Sequence, residues 1–155
     1  MRLTISVASE PGKKRRLQEA ITHLLPEWFA RPESNLHYAR QAEILPAWVA
    51  HLAGRDVGLL LLKRHGTFSA EIYWIGVDPA HHRQGVGRAL IDAVCRSLRE
   101  ENRKLLFACS LPPDHPDEHY RRTRRFYQRA GFFLGVTDHG DPPDPMAWYV
   151  KLLTE

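Results

Sequence analysis

The apolar positions of this chain change period several times, and each change predicts an element. "LTISVA" (residues 3–8) alternates apolar and polar, the mark of a half-buried strand. In "KKRRLQEAITHLL" (13–25) the period lengthens and puts Leu17, Ala20, Ile21 and Leu24 on one helical face. The basic run at its start opposes the helix dipole and reads as a solvated end. "PEWFARPESN" is a proline-punctuated loop with two exposed-looking aromatics. A short helix is expected over residues 35–42, ending before Pro46.

Three strand-like segments follow, "AWVAHLA", "DVGLLLLKRH" and "AEIYWIGV", separated by Gly54-Arg55-Asp56 and by Gly66-Thr67. Turns that short imply an antiparallel meander. Beyond Pro79 the helical period returns: Val86, Ala89, Leu90, Ala93, Val94 and Leu98 mark an amphipathic helix running to about Asn102. "KLLFACSL" is again a strand, and a crossover of this length implies that it runs parallel to the strand before the helix. After the loop "PPDHPDE" comes a helix from about His119 to Ala130, closed by Gly131. "FFLGV" and "MAWYVKLL", on either side of "TDHGDPPDP", complete the sheet. The class is α/β with a mixed sheet, without repeats or linkers.

Composition narrows this picture only slightly. The chain has 155 residues, 43% apolar and 26% charged, which suits one domain with one core. No apolar run approaches the roughly 18 residues of a membrane span, and the N-terminus lacks a secretory pattern. Cys95 and Cys109 are too few for a disulfide scaffold, so a cytoplasmic setting is expected. The +4 charge, from 22 basic and 18 acidic residues, suits an anionic ligand without announcing nucleic acid.

Candidate chemistry begins at "VDPAHHRQGVGRAL" (77–90), between a strand and a helix start, where free N–H groups and the positive dipole end converge. Glycines there admit an anion to the backbone, and Arg83 and Arg88 add charge. A P-loop is excluded because no Gly-Lys precedes Ser or Thr. A dinucleotide fingerprint is excluded because Leu90 replaces the third small residue and no acidic residue ends the next strand. Gly76 interrupts the preceding strand, marking a bulge or a close backbone contact. Further on, Tyr120, Thr123, Tyr127 and Ala130 share one helical stripe. Two phenols and a hydroxyl on an inward stripe suit chemistry, although a tyrosine packed on the sheet is the plainer account.

At these residues the chain resembles the GNAT superfamily of acetyl-CoA-dependent N-acyltransferases. That family's cofactor motif, Gln/Arg-x-x-Gly-x-Gly/Ala, is met by His82-Arg83-Gln84-Gly85-Val86-Gly87, and its aromatic-Tyr-x-x-x-Gly-Phe by Phe126-Tyr127-Gln128-Arg129-Ala130-Gly131-Phe132. The order of elements agrees over nearly the whole chain. His82 departs from the usual Gln or Arg, and Tyr120 stands where an Asn is common. The resemblance implies a single domain over residues 1–155: a mixed, mostly antiparallel sheet with a splayed parallel strand pair, flanked by helices. It also implies transfer of an acetyl group from acetyl-CoA to a primary amine, without a metal.

On that resemblance, Arg83, Gln84, Gly85, Val86, Gly87 and Arg88 seat the CoA pyrophosphate, Ile75, Gly76 and Val77 meet the pantetheine amides, and Tyr120 faces the cofactor arm. Tyr127 is the candidate proton donor to the departing thiolate. Glu71 is the candidate base for the amine, acting through water, or else a strand-end carboxylate facing solvent. Trp28, Phe29 and Tyr38, with His37 nearby, are candidate acceptor-site residues, or a hydrophobic lid over the core. His81, His82, His115 and His119 lack metal-ligand spacing, and Cys109 reads as core. The arginines at 121, 122, 124, 125 and 129 read mostly as a solvated face, with one or two meeting a phosphate.

A small-molecule amine is the expected acceptor, and a homodimer is expected only from the frequency of dimers in such families. Three alternatives stay open: a protein lysine or N-terminus as acceptor, a CoA-binding sensor without catalysis, and a nucleic-acid binder. The last lacks the aromatic platforms that single strands need, so neither nucleic acid nor membrane is expected as a partner.

Overall fold

The computed structural model of the chain describes residues 2–110, 117–138 and 146–153. Seven strands and four helices follow the order β1 (Thr4–Ala8), α1 (Pro11–Leu24), α2 (Pro32–Ile44), β2 (Ala47–Leu52), β3 (Arg55–His65), β4 (Ser69–Val77), α3 (Val86–Glu100), β5 (Leu105–Ser110), α4 (Glu118–Arg129), β6 (Phe133–Asp138) and β7 (Met146–Leu152). The strands make one mixed sheet in the order β1-β2-β3-β4-β5-β7-β6, with β4 and β5 parallel. The chain divides into two compact units, Met1–Lys63 with Tyr73–Ser97 and Arg64–Ile72 with Leu98–Glu155.

In the first unit β1, β2 and β3 are antiparallel neighbours. Ala53 (φ 53°) and Gly54 (φ 75°) turn β2 into β3. Two consecutive left-handed residues give the tight twist that a two-residue hairpin needs, so the turn falls one residue earlier than Gly54-Arg55-Asp56. β3 is buried without a break from Val57 to Leu62, as befits an inner strand covered on both faces. Gly58 stands within that run. A Cβ there would lie 3.0 Å from Val86 Cγ1 and 3.2 Å from Leu90 Cδ1, so the missing side chain lets α3 settle on the strand.

The first helix corrects the sequence reading. Its inward stripe is Lys14, Gln18 and Ile21, continued by Leu25; of the expected face only Ile21 is buried, while Ala20 and Leu24 are exposed. The basic run is not simply solvated. Lys14 is only 5% exposed and donates through Nζ to the Leu45 carbonyl at 2.9 Å. Leu45 caps the C-terminus of α2, where the dipole favours a cation. Burial lowers the Lys14 pKa. At the other end Glu10 accepts from Gly12 N and Lys13 N at 2.9 and 2.7 Å, an N-cap outside the expected helix. The second helix is longer than expected, because Pro32 sits well in a first turn.

In the second unit β7 lies between β5 and β6, antiparallel to both. The parallel ladder with β4 pairs Ser69↔Leu105, Ala70↔Leu106 and Glu71↔Phe107. Asp117 caps α4 by accepting from His119 N and Tyr120 N at 2.8 and 3.3 Å. Gly131, at φ 95°, ends the helix as expected. Arg124 and Tyr127 are its buried residues, so the arginine row is not wholly solvated. His115 and most of the loops "PPDHPDE" and "TDHGDPPDP" lie outside the described residues.

Candidate functional site

In the first unit, β4 leads through a short turn into α3. Gly76 is a close-approach residue: a Cβ would meet the Trp74 ring and lie 2.8 Å from Ile21 Cγ2. Asp78 accepts from Ala80 N at 2.9 Å and caps the 3-10 turn Pro79–His81. Arg83 (φ 64°) and Gly85 (φ 78°) both adopt left-handed backbone immediately before α3. Nothing lies within 4 Å of a Cβ placed on Gly85, so the turn opens onto free space. Gly85 O accepts from Ala89 N at 3.0 Å and starts the helix. The first N–H groups of α3 have no partner within the helix itself, a geometry that can receive an anion. Val86 anchors it from below at 2% exposure, Gly87 is half-buried, and Gln84 and Arg88 are exposed. Arg88 also pairs with Asp92 at 3.2 Å.

His82, the odd residue of the motif, has a defined place. Its Nε2 lies 2.8 Å from Val77 O, tying the turn back to the end of β4. Since a carbonyl can only accept, Nε2 carries the proton. The Trp28 ring meets His82 edge-on at 6.2 Å, and Phe29 stacks on Trp74 at 5.3 Å. Both aromatics are partly buried against the core of this unit, which corrects the exposed-loop expectation. Tyr38, His37 and Tyr73 form a separate group: His37 Nε2 is 2.7 Å from Tyr73 Oη, and the Tyr38 and Tyr73 rings lie 5.5 Å apart. Lys63 Nζ sits 5.5 Å over the Tyr73 ring. Trp28, Phe29 and Tyr38 nevertheless all pack, partly buried, against the same core cluster.

The second unit holds the candidate proton-transfer groups. Glu71, third in β4, places Oε1 2.8 Å from His65 Nε2. His65 closes β3 and packs on Phe107 at 5.3 Å. Cys109 is half-buried, and its pKa rises to about 11 through burial first and the Glu71 charge second. It is therefore a neutral thiol at pH 7, close enough to feel Glu71 and not merely core. Tyr127, 4% exposed, lies against Phe132 at 5.2 Å and Tyr149 at 6.2 Å. Burial, and secondarily Cys109, push its phenol well above the ordinary value. Because Cys109 is uncharged at neutral pH, burial is the cause that persists there.

Tyr127 thus keeps its proton at every physiological pH, as a donor must, yet it is a weaker acid than a solvated phenol. Tyr120 is half-buried in the first turn of α4, and Thr123 Oγ1 donates to the His119 carbonyl at 3.2 Å. Sequence reasoning missed His65. Its signal was modest: an imidazole ending one hairpin strand, opposite a carboxylate just inside the next. Among the described residues no group of three or more His, Cys, Asp or Glu is arranged to hold a metal, and no helix is long and apolar enough to cross a membrane.

Comparison with known proteins fits this geometry. A family model described as an acetyltransferase (GNAT) domain matches residues 44–133, from the end of α2 to the start of β6. A mycothiol acetyltransferase of Propionibacterium freudenreichii subsp. shermanii is 40% identical over 73 residues, covering 47% of this chain and 22% of that protein. The match therefore spans about a fifth of that relative's length. A protein assigned as a GNAT-family acetyltransferase from Desulfovibrio desulfuricans shares the fold with a TM-score of 0.84 at 21% identity, over 99% of this chain and 100% of that one. An aminoglycoside 6′-N-acetyltransferase solved with coenzyme A superimposes with a TM-score of 0.70 at 13% identity, over 97% and 98% of the two chains. With the family model covering more than half of its length, this chain belongs to the GNAT acetyltransferase family.

Proposed function

We propose that the chain moves an acetyl group from acetyl-CoA directly to a primary amine of a small molecule. The observation that carries this is the left-handed turn at Arg83 and Gly85, open to solvent and set at the start of α3. A diphosphate fits there: it needs several N–H donors, nearby cations and no Cβ in the way. Arg83, Gln84 and Arg88 surround the seat, and Ile75, Gly76 and Val77 offer a strand edge to the pantetheine amides. The neighbour solved with coenzyme A supports CoA as the ligand. The names of the mycothiol and aminoglycoside enzymes support a small acceptor.

In this reading the amine nitrogen attacks the thioester carbonyl carbon and the carbon–sulfur bond breaks. One proton leaves the amine and one reaches the sulfur. A lysine-like amine, with a pKa of about 10.4, is mostly protonated at neutral pH and needs a base. Glu71 takes that proton through water, with His65 fixing its Oε1. Tyr127 gives its proton to the departing thiolate. The phenol is the weaker acid of the two, so its proton moves as negative charge develops on sulfur and not before.

Acetyl-CoA at a hundred times its dissociation constant should stabilise the chain by about 2.7 kcal/mol in thermal unfolding. Release of free thiol should then depend on adding a small amine. Tyr127→Phe should lower turnover by about 10²-fold or more while leaving the acetyl-CoA dissociation constant nearly unchanged. Thiol release with peptides but not small amines would move the acceptor to protein. Binding with no thiol release would replace catalysis with sensing.

A further inference from the structure

Ser6, His51 and Asp56 lie in a row across β1, β2 and β3, and the acetyl-transfer reading uses none of them. Ser6 pairs with Val49 and Thr4 with His51, so Ser6 stands diagonal to His51 across the first two strands. His51 is directly opposite Asp56 across the next pair. Ser6 Oγ is 2.6 Å from His51 Nε2, and His51 Nδ1 is 2.6 Å from Asp56 Oδ1. A carboxylate only accepts, so Nδ1 carries the ring proton. In the neutral ring Nε2 then has a lone pair, and the Ser6 hydroxyl must be its donor. The order of atoms is that of a serine nucleophile, its base, and the acid that fixes the base's tautomer.

Two further features suggest more than a sheet fastening. The β2–β3 register shifts between Ala50 and His51, and a bulge at such a point re-aims the side chain beside it. A groove of about 220 Å³ opens at the same place, lined by Ser6, Ser9, Glu10, Lys13 and His51 with Val7, Ala8 and Val49. Lys13 Nζ is also 3.7 Å from Asp56 Oδ2, which puts a cation beside the array. Volume and lining suit a short acyl group, not a large ligand.

We propose that Ser6, His51 and Asp56 form a second reactive centre that hydrolyses small activated acyl esters. Ser6 Oγ attacks the acyl carbon as its proton passes to His51 Nε2. The bond from the acyl carbon to the leaving oxygen breaks, and that oxygen takes the proton from His51. Water then attacks the acyl-Ser6 ester and gives one proton to Nε2. The bond to Oγ breaks, Oγ regains that proton, and a carboxylic acid departs. Asp56 holds the imidazole throughout, with Lys13 beside its second oxygen.

The test is covalent labelling of the full chain by a small alkyl fluorophosphonate, with the adduct located by mass spectrometry. Labelling is expected on Ser6, slowed about 10²-fold or more in His51→Gln and about 10-fold or more in Asp56→Asn. The same chain should release p-nitrophenolate from p-nitrophenyl acetate, and Ser6→Ala should abolish the Ser6-dependent part. An unlabelled Ser6 in the folded chain overturns the proposal, as does labelling in His51→Gln within about threefold of the parent, since base assistance exceeds that. If His51→Gln does not fold, Ser6→Ala decides, because a hydroxyl-to-hydrogen change on an exposed residue leaves the sheet intact. Ester hydrolysis unchanged in Ser6→Ala would reduce the row to a sheet fastening.

Discussion

Two histidine–carboxylate pairs in this molecule look alike and differ in what they leave over. His51 meets Asp56 through Nδ1 and turns Nε2 to a serine hydroxyl, on three strands of the first unit. His65 meets Glu71 through Nε2, packed against Phe107 in the second unit. In the first pair the acid serves the histidine, which is thereby shaped into a base. In the second, on the proposed mechanism, the histidine holds one oxygen of the acid and the other would serve water and an amine. The two pairs thus engage opposite ring nitrogens of their histidines, which fixes a different tautomer in each.

The largest effects should come from separating the two pairs. Tyr127→Phe is expected to lower thiol release from acetyl-CoA about 10²-fold or more and leave Ser6 labelling untouched. Ser6→Ala should do the reverse, and a single variant that silences both reactions would merge the two centres into one. A middle effect belongs to the Glu71–His65 pair. Glu71→Gln should reduce kcat about 10²-fold, whereas His65→Ala should cost about 10-fold in kcat with little change in KM. Equal losses from both would make the imidazole, and not the carboxylate, the base.

The smallest effect falls on a carboxylate held by arginines instead of an imidazole. Glu101 accepts from Arg64 Nη2 at 2.6 Å and Arg103 Nε at 2.9 Å, and these bonds, Arg64 first, bring its pKa from 4.5 to about 2. A depressed folded pKa stabilises above the unfolded value and is lost as pH falls from about 4.5 through about 2. With the side chain 34% exposed, solvent screening leaves about 1 kcal/mol. Glu101→Gln should remove that part of the acid sensitivity in thermal unfolding measured from pH 5 to 2. An identical pH profile for the two chains would mean the pair contributes nothing.

Much of the fold was legible because local signals agreed with tertiary ones. Gly54 and Gly66 punctuate the meander, and the apolar positions of α3 leave no other period. The inward face of α1 was not legible, because its buried members include Lys14 and Gln18. A lysine goes inward only where a partner waits, and the Leu45 carbonyl is contributed 31 residues away. Trp28 and Phe29 looked exposed from loop composition alone, yet they cover the core as the lid reading had it, with Phe29 stacked on the Trp74 ring. In the candidate site, the glycines and Tyr127 are marked by local sequence motifs. His65 and the Ser6–His51 contact depend on strand register, and 45 residues separate that last pair.

Gly58 carries a consequence for the proposed anion seat, which it never touches. The start of α3 rests on this bare stretch of β3, with Val86 and Leu90 lying where a methyl group would go. The depth of the seat is thus set from behind, by the thickness of a neighbouring strand. A single methyl at position 58 would shift the helix start by some tenths of an ångström and leave every ligand-facing side chain as it was. Affinity for a bound diphosphate then becomes a quantity that the core can tune, independently of the residues that would make the contacts.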